Sequence, residues 1–387
     1  MTKARILHLG KFYPPARGGI ETALETLCHD ESGTIDSRAL VMTKGGQTVH
    51  EVVDGVDVTR VGSLATIGAV SVSPMLPIWL ARAHADLIVL HEPNPMALVA
   101  YFLARPSSPL VVWYHSEVIR PRWRYRLFYE PFLEFALRRA ERIVVGSPPM
   151  KEVAALAPYR DKCVVVPYGL DARRYQATPP IAAKAAALRR SVDGPILLFV
   201  GRLVRYKGVE VLLRALPGLH AQTVIVGGGP LGDVLSHLTQ ELGLDDRVRF
   251  IGEVTDDDLL AWYYACDALV LPSTSRQEAF GLVQLEAMLC GRAVVSTDLP
   301  TGVPWVNQHE RTGLVVPPGD VAALRGALAR LVCDVDLRRA LGEAARARAL
   351  NEFAADSMCR AARHVYQEVC PRVLPPEPTE IPVMTLQ

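Results

Sequence analysis

Short apolar runs alternate with helical patterns along most of this 387-residue chain, and the alternation stops once and restarts. Runs near 4–9, 38–42, 86–91, 109–114, 142–146 and 163–167 read as strands, with helical patterns near 20–29, 95–104, 124–141 and 149–157 between several of them. Such alternation calls for a parallel sheet with helices on both faces, because each crossover lays a helix against the sheet. From Asp171 to Gly194 the text turns polar, alanine-rich and proline-bearing, which reads as a connector and a peripheral helix. Strands then resume near 195–200, 222–227, 247–251, 268–272, 293–297 and 313–317. The expectation is an α/β protein of two doubly wound, Rossmann-like domains facing a cleft, with residues 173–194 as the hinge. At about 100–200 residues per domain, the length agrees.

Beyond Asp320 the patterns are helical to about Pro371, and the tail PRVLPPEPTEIPVMTLQ carries too much proline for packed structure. Half of the residues are hydrophobic, enough for two cores, and the formal net charge of +1 argues against a nucleic-acid partner. Seven cysteines, at 28, 163, 266, 290, 333, 359 and 370, form no CxxC pair, so a reduced, cytoplasmic setting is expected. The N-terminus offers only about six apolar residues before Gly10, too few for a signal peptide. No uncharged run approaches the roughly 20 residues of a spanning helix, so the chain reads as soluble or peripheral on the inner face of the plasma membrane.

The segment PSTSRQEAFGLVQLEAMLCG, from Pro272 to Gly291, holds the densest chemistry. Glu278 sits in a loop of small polar residues and Glu286 about two turns into the helix that follows. A helix N-terminus has unpaired amides and partial positive charge, so Phe280, Gly281 and Leu282 offer N–H groups to hydroxyls or phosphate oxygens. The Glu278 carboxylate can accept hydrogen bonds from sugar hydroxyls, and Glu286 can hold a ribose diol. The strand PILLFV runs into GRLVRYKG, placing Arg202 and Lys207 at a strand's carboxyl end, where open α/β sheets bind ligands. Two cations there can neutralise a diphosphate, Arg202 as a fork and Lys207 as a point charge.

The pattern GRLV-x-x-KG, then VGGGP, FIGEV, PS-x6-FG-x4-EAM and TGLVVPPGD, in order from Ile196 to Asp320, resembles the donor half of retaining GT-B glycosyltransferases of family four. ARILHL leading into GKFYPPARGGIET is similar to the glycine loop that opens these enzymes, so the likeness covers nearly the whole chain. WYHSEVIRP and TDLPTGVPWV resemble the bacterial branch that builds O-antigen and exopolysaccharide chains, often with mannosyl-type donors. The resemblance implies an acceptor-side domain at 1–172, completed by a crossing helix at 354–370, and a donor domain at 195–353. It further implies a hexose moved from a nucleotide-diphosphate sugar, GDP-mannose favoured and a UDP-sugar open, to a lipid-linked or free saccharide, with retention. Arg202 and Lys207 would steady the leaving diphosphate, Glu278 and the amides near Gly281 orient the sugar, Glu286 hold the ribose, and Glu253 and Val254 line the base pocket. No cofactor is implied. A GT-B-type epimerase and a non-catalytic nucleotide-sugar-binding subunit are the rival readings.

Four further features complete the expectation. Gly18 and Gly19, between the first strand and helix, can cradle an anion and so face donor phosphate or acceptor. His115 ends the strand LVVWYH. Neutral, it would hydrogen-bond a sugar hydroxyl; charged, it would steady the diphosphate, and in the resembling enzymes a histidine here faces the donor sugar. His91 is a weaker strand-end candidate on the acceptor side. Between Ile119 and Arg142, arginines at 120, 122, 124 and 126 lie among aromatics, which fits either an anionic membrane surface or an ordinary helix with a solvated basic face. The acidic run TDDDL from Thr255 reads as a helix cap, so no metal site is expected.

Overall fold

The computed structural model describes residues 3–16, 18–29, 32–67, 70–118 and 122–374. The chain divides into two compact units, one drawn from Met1–Val145, Ala154–Val166 and the chain from Asp356, the other from Gly146–Val153 and Pro167–Ala355.

The first unit is built on an eight-stranded sheet. Its spatial order is Cys163–Val165, Arg142–Val145, Leu110–Tyr114, Leu87–Glu92, Ala4–Leu9, Ile35–Met42, Val56–Val61 and Val49–Val53. All neighbours are parallel except the last pair. Every residue of Leu87–Glu92 and Leu110–Tyr114 is buried, as expected of central parallel strands covered on both faces. The edge hairpin Val49–Val53/Val56–Val61 was not among the expected strands. It closes through Asp54 and Gly55, both at positive φ, the conformation that a two-residue Asp-Gly hairpin turn requires.

Two helical expectations need correction. The pattern at 124–141 is two helices, Arg122–Phe128 and Glu130–Arg139, because Pro131 falls in the first turn of the second and a new helix starts there. Residues 149–157 are 3-10 turns rather than an α-helix, and Pro158 falls inside the second of them, where an α-helix would need its amide. The amphipathic helix Ala355–Val369 packs within the first unit. Cys359 donates to the Thr26 carbonyl at 3.3 Å, Glu368 pairs with Arg142 at 3.1 Å, and Tyr366 meets His8 edge-on. Past it, residues 371–374 form a turn with Leu374 buried, so packing reaches further than the proline content suggests. Residues 375–387 of the tail lie outside the described residues.

The second unit carries a six-stranded, wholly parallel sheet in the order Val248–Gly252, Gln222–Val226, Ile196–Val200, Ala268–Leu271, Ala293–Thr297, Gly313–Val316. Its core joins Phe199, Leu212, Leu213, Ile225 and Val295 to Leu324 and Leu328 of the helix Val321–Cys333. The stretch read as a connector folds into a 3-10 turn, Ala172–Tyr175, and a helix, Pro179–Arg190, that buries Ile181 and Ala185. Lys184 pairs with Asp258 on the helix Asp256–Ala265. Among the described residues no helix is long and apolar enough to cross a membrane, and all seven cysteines are free thiols.

Candidate active site

Two loops at the carboxyl ends of adjacent strands of the second unit meet and bring Lys207 to Glu278. After Ile196–Val200 the chain makes a 3-10 turn, Arg205–Lys207, and reverses at Gly208, at φ 69°. A Cβ on Gly208 would overlap the Pro272 carbonyl, so glycine is what lets the two loops touch. The Thr274 N–H donates to the Tyr206 carbonyl at 2.7 Å and fixes the contact.

Lys207 Nζ lies 2.6 Å from Glu278 Oε2, and the Ser273 hydroxyl donates to the same oxygen at 2.8 Å. Both charged side chains are largely buried, 12% and 9% exposed. Burial works against the Lys207 charge, but the Glu278 carboxylate more than offsets it and leaves the lysine pKa raised. Although it sits in a loop of small polar residues, Glu278 folds inward, and its carboxylate is a buried partner of Lys207. Arg202 is exposed, with no ion pair among the described residues.

Gly281 caps the helix Leu282–Leu289 at φ 72°, where an added Cβ would press 2.6 Å from Leu271 Cδ2. The amides of Phe280, Gly281 and Leu282 find no acceptor among the described residues, which leaves this helix end with unpaired N–H groups and a partial positive charge. Phe280 itself anchors the turn, 5% exposed and edge-on to Tyr168 at 4.7 Å. Five residues into the helix, Glu286 Oε2 accepts from Tyr263 at 2.5 Å, and Tyr175 is a second phenol donor. Burial raises the Glu286 pKa against these bonds. Glu253 is exposed after Val248–Gly252 and lies beside Gly228 of the VGGGP loop, with the half-buried Val254 next to it. Ser273, Tyr263 and Tyr175 were not anticipated, because a serine in a polar loop and tyrosines on remote elements carry no spacing signal.

In the first unit Gly18 and Gly19 are exposed and open the helix Gly19–Cys28. Glu21 folds back to accept from its own backbone N–H and lies against Gly18, so a carboxylate already sits at this helix end. His115 is 5% exposed, and burial pulls its pKa down to about 3. Of its two expected roles, the charged one is therefore corrected: the ring is neutral at physiological pH. His91 is fully buried between His8 and His115, a correction to its reading as an acceptor contact. Of the four arginines, Arg120 lies outside the described residues, Arg122 and Arg124 are on the helix Arg122–Phe128, and Arg126 is exposed with Leu127 and Phe128. No cluster of three or more His, Cys, Asp or Glu side chains among the described residues could hold a metal ion.

Comparison with known proteins bears on family and fold. The profile described as Glycosyltransferase Family 4 matches residues 17–174, and that described as Glycosyl transferases group 1 matches residues 181–348. The chain is 35% identical over 337 residues to the D-rhamnosyltransferase WbpZ of Pseudomonas aeruginosa, covering 84% of this chain and 85% of that protein. It is 31% identical over 371 residues to the O-antigen chain mannosyltransferase C of Escherichia coli, covering 94% and 98%. Among solved structures, Anabaena HepE in complex with UDP and glucose superposes with a TM-score of 0.75 at 22% identity, covering 94% of this chain and 100% of that one, which shows a shared GT-B fold. With both profiles matched in order and relatives aligned over most of their length, the chain belongs to the group 1, family 4 glycosyltransferases.

Proposed function

We propose that this glycosyltransferase moves a mannosyl-type hexose from a nucleotide-diphosphate sugar, GDP-mannose before a UDP-sugar, to a hydroxyl of a lipid-linked or free saccharide, with retention and without a metal. The observation that carries this reading is the Lys207–Glu278 pair, on strand-end loops that also hold the exposed Arg202 and the unpaired amides at Gly281. As the glycosidic bond breaks, negative charge grows on the departing diphosphate. Arg202 can fork to its oxygens and Lys207 can turn from Glu278 to meet it. Glu278 is then released to accept hydrogen bonds from sugar hydroxyls. Glu286, whose carboxylate accepts from Tyr263 and Tyr175, would hold the ribose diol, while Glu253 and Val254 would line the base; Gly18, Gly19 and neutral His115 are the first unit's candidates for the sugar and phosphate. The name of the Escherichia coli relative, an O-antigen chain mannosyltransferase, supports the mannosyl class and an O-antigen acceptor.

Thermal stabilisation by GDP and by UDP, measured in excess EDTA, tests donor base and metal requirement together. A preferred nucleotide at 100 times its dissociation constant adds about 2.7 kcal/mol. GDP is expected to shift melting more than UDP, and sugar transfer is expected to persist in EDTA. A larger UDP shift would move the donor to a UDP-sugar, and activity restored only by Mg²⁺ or Mn²⁺ would end the metal-free proposal.

An acceptor carried on lipid asks for a membrane-facing surface, and Leu127 and Phe128 are exposed, at 66% and 62%, beside Arg126. Replacing Arg120, Arg122, Arg124 and Arg126 with Ser is expected to abolish co-sedimentation with anionic liposomes while leaving the GDP shift intact. Salt should weaken wild-type sedimentation, since exposed charges are screened beyond about 8 Å at physiological ionic strength. Sedimentation unchanged in the variant would return this helix to a solvated basic face.

A further inference from the structure

Three imidazoles in the first unit form a continuous chain across three neighbouring strands. His8 lies on Ala4–Leu9, His91 on Leu87–Glu92, and His115 immediately follows Leu110–Tyr114. His8 Nδ1 is 3.1 Å from His91 Nε2, and His91 Nδ1 is 2.9 Å from His115 Nε2. The rings of His91 and His115 stack at 15°, and Trp113 stacks on both. The sheet sets this spacing, since Leu87–Glu92 pairs with both other strands, His91 directly opposite Trp113. All three histidines are buried.

A neutral imidazole carries one N–H and one lone pair, so two successive bonds through three neutral rings must run in a single direction. Burial supplies the neutrality: His8 and His115 are pulled down to about 3, and His91 well below its ordinary value by burial and by its two histidine neighbours. Two directions remain. If the chain runs from His115 to His8, every ring is protonated at Nε2 and His8 presents a buried N–H. His8 Nε2 has no hydrogen-bond partner among the described residues. If it runs from His8 to His115, that orphan atom is a bare lone pair. Buried N–H groups without an acceptor are the rarer kind of unsatisfied atom, so the second direction is favoured.

We propose that His8 and His91 are positioning residues that lock His115 in its Nδ1–H tautomer. With Nε2 committed to accepting from His91, the only proton His115 can offer is the one on Nδ1, and hydrogen bonds in series polarise one another and sharpen that donor. The purpose of the lock rests on the reading above, in which neutral His115 donates to a hydroxyl of the donor sugar. The lock itself is a property of the folded chain alone.

Two-bond ¹H–¹⁵N spectra of histidine-labelled protein at pH 7, assigned by single substitutions, test it directly. His8, His91 and His115 are all expected as Nδ1–H forms; an Nε2–H form or a charged ring at any of them overturns the proposal. His91→Asn keeps an amide donor near the place of Nδ1–H and is expected to preserve both the His115 tautomer and turnover. His91→Leu removes the donor, and kcat is expected to fall about tenfold, the scale of one hydrogen bond to a transition state, with KM for the sugar nucleotide little changed. Should the Leu variant fail to fold, His8→Phe replaces it: a mixed tautomer at His91 is expected, and an unchanged one overturns the positioning role of His8. Equal kcat and equal His115 signals in the Asn and Leu variants also overturn it. Wild-type turnover in His115→Ala with all three tautomers as expected would overturn the catalytic purpose and leave the lock standing, which separates the two failures.

Discussion

Lys207→Ala is expected to lose about 10²–10³ in turnover and also to melt earlier, whereas Arg202→Ala should lose turnover alone. The catalytic loss is the usual scale for removing one group that meets charge developing in a transition state. The difference in stability comes from burial. Lys207 and Glu278 are 12% and 9% exposed, so removing the lysine strands a buried carboxylate beside Ser273. Breaking such a pair from one side costs about 3–5 kcal/mol. For a unit of this size that is roughly 6–20 °C in Tm, at about 2–4 °C per kcal/mol. Arg202 is exposed without an ion pair among the described residues, so its removal leaves nothing stranded. The folded pKa of Lys207 lies above that of a free lysine, so its contribution is fully present below pH 10.5 and fades only as pH rises through the higher folded value. The stability difference between wild type and Lys207→Ala should therefore be flat from pH 6 to 9. Wild-type turnover in either variant would remove that residue from the mechanism, and an unshifted Tm in Lys207→Ala would mean the pair carries no stability.

The sheets were legible in the sequence because parallel central strands are continuous apolar runs: Ile196–Val200, Leu110–Tyr114 and Ala293–Thr297 stand where such runs stand. The hairpin at Val49–Val61 was not, because Val49–Val53 is almost wholly exposed and so carries no continuous apolar run. Its Asp54–Gly55 turn was nonetheless present as a signal. In the site, the strand-end loops announced Arg202, Lys207, Glu278 and Glu286 by residue type and position. What no spacing could announce is that Lys207 and Glu278, 71 positions apart in the chain, are one ion pair, or that Glu286 is held by Tyr263 and Tyr175. Those contacts depend on the register of neighbouring strands and on a glycine reversal at 208, which sequence pattern does not encode. The histidine chain is hidden for the same reason: His8, His91 and His115 sit on three strands that become neighbours only when the sheet order Leu110–Tyr114, Leu87–Glu92, Ala4–Leu9 is known.

Glu278→Gln is expected to combine a lower Tm with a nucleotide response larger than that of wild type. The substitution keeps the size of the side chain and an oxygen for Ser273, but removes the charge that answers Lys207 in a buried setting. In the wild type, a diphosphate must compete with Glu278 for the lysine, so part of its binding energy goes into separating an existing pair. In Glu278→Gln the lysine has no such partner, and GDP or UDP restores a counter-charge that the fold lacks. The nucleotide-induced rise in Tm should then exceed that of wild type at equal nucleotide concentration, even though transfer is strongly impaired because the carboxylate no longer accepts from the sugar. Joint replacement, Lys207→Met with Glu278→Leu, separates charge from packing, since exchanging a buried ion pair for apolar residues of similar volume is often neutral or stabilising. That double variant should melt near the wild-type temperature while remaining inactive and giving a diminished nucleotide shift. Calorimetry on the four proteins with and without nucleotide decides the matter. A nucleotide shift in Glu278→Gln no larger than in wild type, or a double variant that melts as low as Lys207→Ala, would show that the lysine is not exchanged between glutamate and diphosphate.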